Sequence, residues 1–313
     1  MRVPPEIAAA RGASALVTGG AGFIGGHLCA LLRAAGWTVH SASRRAAGGR
    51  AAHRHWPVDL TDAAATQALV AAARPDYVFH LASHVWGAPD LKHVLPTFHA
   101  NLHSTVNLLQ ALAGTPCRRF VITGSLVEPE QRSSEQCPTA PYAAAKWAAC
   151  DYVRMFHALY RLPGAIARVF MVYGPAQPDR GKLIPYAIGR VLRGEPPEIT
   201  SGRHLIDWVY VEDVAEGLAR MAVTPDAAGR TVDLGTGRLI STGALIDKLC
   251  ELMGGRVRPI YGALPDRPME PVRAARTEET RRLLGWSPPT SLEDGLRRTI
   301  AWYTEDARER AET

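Results

Sequence analysis

Apolar and polar positions along the chain alternate between two periods. Ala13 to Thr18 is a continuous apolar run of strand length, and it enters Gly19-Gly20-Ala21-Gly22-Phe23-Ile24-Gly25. Ile24, Leu28, Leu31 and Leu32 then recur at helical spacing up to a stop at Gly36. A second strand is predicted over 38–43, a third around Trp56-Pro57-Val58 that turns at Asp59, and a helix over 62–73 closed by Pro75. Tyr77–Leu81, Phe120–Thr123 and Ala165–Phe170 continue the strands. Between them lie a helical region over 90–112, broken at Pro96, and a long helix from Pro141 to Tyr160. Strands alternating with helices at this rhythm predict an α/β fold with a doubly wound parallel sheet, whose ligands meet the carboxyl ends of the strands. Past Tyr173-Gly174-Pro175 the rhythm loosens, with helices near 183–193, 213–222 and 243–253. The expected division is a first domain over 13–172 and a smaller α/β lobe over 173–305 that returns segments to it. A polar tail, 306–313, is expected to fray.

Composition narrows the class. Of 313 residues, 47% are hydrophobic and 21% charged, which fits a globular chain and excludes a disordered one. The net charge of +6 comes without any basic run, so no nucleic-acid partner is expected. Only Lys92, Lys146, Lys182 and Lys248 are lysines among 36 cations, so surplus arginine reads as background and a lysine as a choice. Five scattered cysteines without a C-x-x-C pair give no disulfide framework or zinc site and fit a reducing cytoplasm. No run approaches 18 apolar residues, and Met1-Arg2-Val3-Pro4-Pro5 lacks the apolar core of a signal peptide, so a cytoplasmic protein without a membrane segment is expected.

Three constellations carry chemistry. Gly19, Gly22 and Gly25 stand between a strand and a helix, where glycine allows a tight turn, close approach of backbone to a pyrophosphate, and helix–strand packing. The helix N-terminus behind them offers free N–H groups to phosphates, so the first domain is of Rossmann type. At the end of the second strand, where an acid would bind a ribose 2′-hydroxyl, stand Ser43, Arg44 and Arg45. A hydroxyl and guanidinium groups suit a 2′-phosphate, so the expected cofactor is NADP(H). Asp59-Leu60 suits an adenine edge, although Asp59 could equally cap the next helix. Finally, Tyr142 and Lys146 lie four apart on one helical face, with Ser125 at the end of a strand. An ammonium beside the phenol is expected to lower its pKa from about 10 and make Tyr142 a usable acid or base.

These motifs resemble the extended short-chain dehydrogenases/reductases, the group of nucleotide-sugar epimerases, dehydratases and 4-ketoreductases. Thr18 to Gly25 is similar to that family's opening, and His80-Leu81-Ala82-Ser83 to its strand-four signature. Tyr142 and Lys146 are similar to its catalytic pair, and Val209 to Val214 and Leu284 to Pro288 to its C-terminal half. The resemblance implies that Ser125 completes the catalytic set, and that Phe23, Ile24, Leu81, Ala82, Ser83, Asn101 and Phe170 line the cofactor with Tyr142 and Lys146. It also implies a homodimer; Trp147 and Tyr152, with Leu108, Leu109 and Leu112, fit a helix-pair interface unless they are buried within one chain.

The departures bear on substrate. Dehydratases of the group carry Asp-Glu after the active-site hydroxyl, whereas this chain has Leu126-Val127, which cannot move protons. Met171 and Ile206 stand where the family has a substrate-binding asparagine and arginine, and losing a charge-assisted bond costs roughly 1.5–3 kcal/mol. Arg267 retains a phosphate-binding position by resemblance, with Arg203 and Arg273 nearby, while Val85, Trp86, Met171 and Ile206 could instead line an apolar pocket. His99 and His103 have no carboxylate at metal-site spacing, and no metal is expected. The chain therefore reads as an NADPH-dependent ketoreductase of a small-molecule ketone, first a 4-keto nucleotide sugar. A polyketide-like ketone, nucleotide-sugar 4-epimerisation and a cofactor-sensing regulator are the alternatives.

Overall fold

The computed structural model describes residues 3–45, 51–128, 137–266 and 272–311. They fall into two compact units: Met1–Val169 with Ala215–Leu234 and Glu278–Trp286, and Phe170–Val214 with Gly235–Thr277 and Ser287–Thr313. The first unit holds a seven-stranded sheet of β1 (Ser14–Thr18), β2 (Thr38–Ser43), β3 (Arg54–Pro57), β4 (Tyr77–His80), β5 (Arg119–Ser125), β6 (Gly164–Val169) and β9 (Thr231–Leu234). The spatial order is β3-β2-β1-β4-β5-β6-β9, and every pairing is parallel. Covered on both faces, such strands are mostly apolar, and β4 and β6 are buried at every position, with the polar exceptions His80 and Arg168 both partnered. The order reverses between β1 and β4, so the loops after these two strands flank the crevice in which such sheets bind ligands.

Helix 141–160 begins where predicted, with Pro141 in its first turn, and ends on Arg161 in the left-handed conformation. The expected break at Pro96 is absent. Pro96 sits within the short helix Val94–Thr97, where a missing N–H costs little. The irregularity comes next, as a π-helical turn over Phe98–His103. There Ser104 Oγ donates to Ala100 O and Thr105 Oγ1 to Asn101 O, both at 2.7 Å, which competes with the regular helical ladder.

The second unit is built on a three-stranded sheet of β7 (Met171–Tyr173), β8 (Leu205–Tyr210) and β10 (Leu239–Ser241), in the order β10-β8-β7. Helices Leu183–Leu192, Thr242–Leu252 and Leu292–Ala311 supply Ile188, Leu245, Leu249 and Leu296 to its core. The tail expected to fray continues instead as helix to Ala311. Asp306 is paired with Arg180 and with Arg310, the latter at 3.0 Å one turn on, and these pairs hold the last turns. Among the described residues, no helix is long and apolar enough to cross a membrane.

Candidate active site

The loop after β1 is shaped by its glycines. Gly19 has φ +70°, and a Cβ there would stand 2.8 Å from Ala82 N, so the loops after β1 and β4 touch backbone to backbone. A Cβ on Gly25 would overlap Gly19 O, so only glycine lets the helix Phe23–Ala34 start this close to the loop. Gly22 caps that helix with no side-chain bond, and its first turn carries no acid. The N–H groups of Phe23, Ile24 and Gly25 therefore form an uncapped positive end, which fits a pyrophosphate without competition from the protein.

The neighbouring loops are held by polar partnerships that sequence reasoning did not foresee, although His80, Ser83 and Asn101 were themselves singled out. Thr105 Oγ1 uses its proton on Asn101 O, so His80 Nε2, at 2.9 Å, must donate to it. His80 Nδ1 then accepts from Thr18 Oγ1 at 2.7 Å, and Thr18 accepts from Ala82 N at 3.2 Å. Burial pushes the His80 imidazole down to about 3, so this relay stays neutral and its tautomer is fixed. Asn101, inside the π-turn, accepts from Ser83 Oγ and His84 N and donates back to His84 O at 3.0 Å. The strand-four loop Leu81–His84 is thus tied to two elements. A threonine and a histidine inside otherwise apolar strands were the available signal.

Ser43 ends β2, with Arg44 and Arg45 exposed beyond it. His55 of β3 fastens this corner. Its Nε2 donates to Arg45 O at 2.8 Å, and its Nδ1 accepts from Ser41 Oγ at 2.7 Å. The choice left open at Asp59 resolves in part, because Asp62 is the helix cap, accepting from Ala65 N at 3.0 Å. Asp59 instead closes a turn on Thr61 N and Oγ1, and these bonds, helped by Arg44, hold its carboxyl below the usual range. Asn107, also unforeseen, donates to Leu60 O and Thr61 O at 3.0 Å and fixes the buried Leu60.

Ser125 ends β5, and Tyr142 and Lys146 project from the first two turns of helix 141–160. The Ser125 hydroxyl acts on the Tyr142 phenol and pulls its pKa down. Lys146, only 4% exposed, donates from Nζ to Thr123 O at 2.8 Å, and its nitrogen is 6.0 Å from the Tyr142 ring centroid. The expected lowering of the phenol pKa is not found. Burial pushes Tyr142 up to about 12, against the smaller opposite pull of the Ser125 hydroxyl, and pushes Lys146 down to about 8. One proton of the ammonium goes to the Thr123 carbonyl, and the phenol remains a proton donor at neutral pH.

The residues expected near substrate are dispersed in chain and environment. Val85 and Trp86 are exposed in the first unit, with Trp86 stacked on His93 at 4.3 Å and His93 bonded to His84 at 3.0 Å. Met171 is exposed on β7 of the second unit. Ile206 packs against that unit's core, which is a sufficient reason for its apolar character. Phe170 is buried, and a Cβ on Gly235 would come within 2.9 Å of its ring. Arg203 is exposed, Arg273 lies 5.9 Å from the Phe170 ring, and Arg267 lies outside the described residues. The interface expected of Leu108, Leu109 and Leu112 does not hold, because all three are fully buried in the first unit's core. Among the described residues, no three His, Cys, Asp or Glu side chains gather in a metal-binding group.

A parallel doubly wound sheet with a glycine loop at its switch point and a serine–tyrosine–lysine set beside it defines a short-chain dehydrogenase/reductase of the extended, nucleotide-sugar group. The chain belongs to the NAD dependent epimerase/dehydratase family, whose model matches residues 15–235. It is 30% identical to the dTDP-glucose 4,6-dehydratase of Neisseria gonorrhoeae, over 94% of this chain and 96% of that one. It is 32% identical to the UDP-glucose 4-epimerase of Mycolicibacterium smegmatis, over 92% of this chain and 97% of that one. The Bordetella bronchiseptica enzyme WbmF in complex with NADH has a similar structure, with a TM-score of 0.82 and 27% identity over 97% of this chain and 96% of that one.

Proposed function

We propose that the protein is an NADPH-dependent ketoreductase acting on a 4-keto nucleotide sugar. The observation that carries this reading is the Tyr142 phenol, kept protonated at neutral pH by desolvation against the pull of the Ser125 hydroxyl, which suits proton donation to a carbonyl becoming an alcohol. The bound nicotinamide would supply the hydride to the carbonyl carbon. Tyr142 gives its proton to the carbonyl oxygen, Ser125 orients that oxygen, and Lys146 holds the nicotinamide ribose. Dehydration is disfavoured despite the N. gonorrhoeae relative. Leu126 and Val127 carry no proton, and the next acid, Glu128, is buried and paired with Arg154. The direct test is NADPH consumption with a 4-keto sugar made in situ from dTDP-glucose. Stoichiometric alcohol formation is expected, and conversion of UDP-glucose to its epimer without net NADPH consumption would replace this reading by the epimerase one. The M. smegmatis relative supports that second reading about as well.

The preference for NADP(H) rests on Ser43, Arg44 and Arg45, with the corner set by His55. Arg44→Ala is expected to raise KM for NADPH at least tenfold, as the loss of one charge-assisted bond does, and to leave KM for NADH within twofold. Equal effects on the two cofactors would defeat the preference. The same reading assigns cofactor to the first unit and substrate to the second, in a cytoplasmic protein. Self-association as a dimer is supported by Leu95 and Leu159, both about two-thirds exposed, on helices that pack side by side. Leu159→Asp should convert dimer to monomer in light scattering, and an unchanged mass would remove this interface.

A further inference from the structure

The chain buries a carboxylate directly behind the serine. Glu128 N donates to Ser125 O at 2.9 Å, closing a tight turn, and the Glu128 side chain then passes inward until the residue is only 2% exposed. Its Oε1 accepts from Arg154 Nη2. Its other oxygen lies 3.4 Å from where a Cβ on Gly124 would stand, and the Cys150 thiol lies 3.5 Å from the same point. The carboxylate is therefore lodged under the backbone that precedes Ser125.

Its partners stand on the helix that carries the other two members of the set. Tyr142, Lys146, Cys150 and Arg154 recur at every fourth position and form one stripe along helix 141–160. Arg154 is itself held, donating to Asp151 Oδ1 at 3.0 Å and to Thr231 Oγ1 at 3.2 Å. Trp147 of the same helix ties the loop a second time, its Nε1 donating to Val127 O at 2.7 Å. A buried ion pair is a poor source of stability compared with apolar packing, but it fixes one geometry. Here that geometry joins the serine loop to the tyrosine helix.

We propose that Glu128 is a positioning residue: paired with Arg154 and packed beside Cys150, it holds the turn that aims the Ser125 hydroxyl at the Tyr142 side of the site. This rests on the reading of Ser125 and Tyr142 as the catalytic pair. The test uses the full-length protein with Glu128→Gln, Arg154→Met, the double variant and Tyr142→Phe. Three quantities are measured: turnover of NADPH with the in-situ 4-keto sugar, NADPH affinity by fluorescence, and amide exchange across 121–128. Glu128→Gln and Arg154→Met should each lower kcat 10–100-fold, with KM and NADPH affinity within twofold. The double variant should be no worse than the worse single one, and exchange at 125–128 should quicken at least tenfold. Unchanged kcat and exchange in Glu128→Gln would overturn the proposal. So would a parallel loss of kcat and NADPH affinity, the mark of general loosening. Full turnover by Tyr142→Phe sinks the catalytic reading instead. If the parent protein consumes no NADPH, the ketoreductase reading fails, and epimerisation of UDP-glucose by the same variants takes the place of kcat, with exchange judged as before.

Discussion

Replacing Tyr142 by phenylalanine is expected to lower kcat by about 10²–10⁴, the range a positioned general acid supplies. That corresponds to about 3–5 kcal/mol of transition-state stabilisation. The ring is retained, so NADPH affinity should stay within twofold. Because burial disfavours the phenolate and pushes the phenol up to about 12, the parent enzyme holds the proton it must give throughout the neutral range. The sign of the pH effect follows. Reduction needs the protonated phenol, so Tyr142 itself imposes no fall below about pH 12. The reverse oxidation needs phenolate, and its rate should climb with pH over the same interval. Stopped-flow measurement of both directions decides the matter. A variant with near-parental kcat, or an oxidation rate flat with pH, would mean that another group moves the proton.

What the sequence disclosed and what it hid divide along the range of the interactions involved. The boundaries of helix 141–160 are written locally, in a proline at its start and a chain reversal at Arg161. The parallel strands are legible because burial on both faces favours near-continuous apolar runs. The family motifs made the glycine loop legible too. The Thr18–His80–Thr105 relay joins residues 62 and 25 positions apart, and no local pattern records such a partnership. Pro96 misled because a proline breaks a helix only beyond its first turn. Leu108, Leu109 and Leu112 misled because periodicity marks an apolar face without saying what covers it. Glu128, just past Leu126-Val127, carries no local sign of burial and proves to be among the most buried acids, with its counter-ion 26 residues on. The phenol pKa was misjudged for a related reason. Spacing placed Lys146 beside Tyr142 but could not weigh burial against charge, or show the ammonium directed to Thr123.

Lys146→Met is expected to separate activity from stability. Turnover should fall at least 100-fold, since the ammonium proposed to hold the nicotinamide ribose is gone, while the folded state gains at neutral pH. Burial holds the Lys146 ammonium down to about 8, against an ordinary value of 10.5, so the unfolded chain keeps this proton more tightly than the folded one. The resulting penalty is complete below pH 8, shrinks between pH 8 and 10.5, and is gone above that. At 1.36 kcal/mol per unit it amounts to about 3 kcal/mol, and an unpartnered Thr123 carbonyl in the variant returns about 1–2 of them. Urea unfolding at pH 7 should therefore show the methionine variant more stable by about 1–2 kcal/mol. On raising the pH to 10.5 the order should reverse as the parent's lysine becomes neutral. The same titration should lower the parent's reductase activity above pH 8, well before Tyr142 ionises. A stability difference that does not move with pH would show that Lys146 is not a desolvated ammonium. The alkaline fall in activity would then need another group.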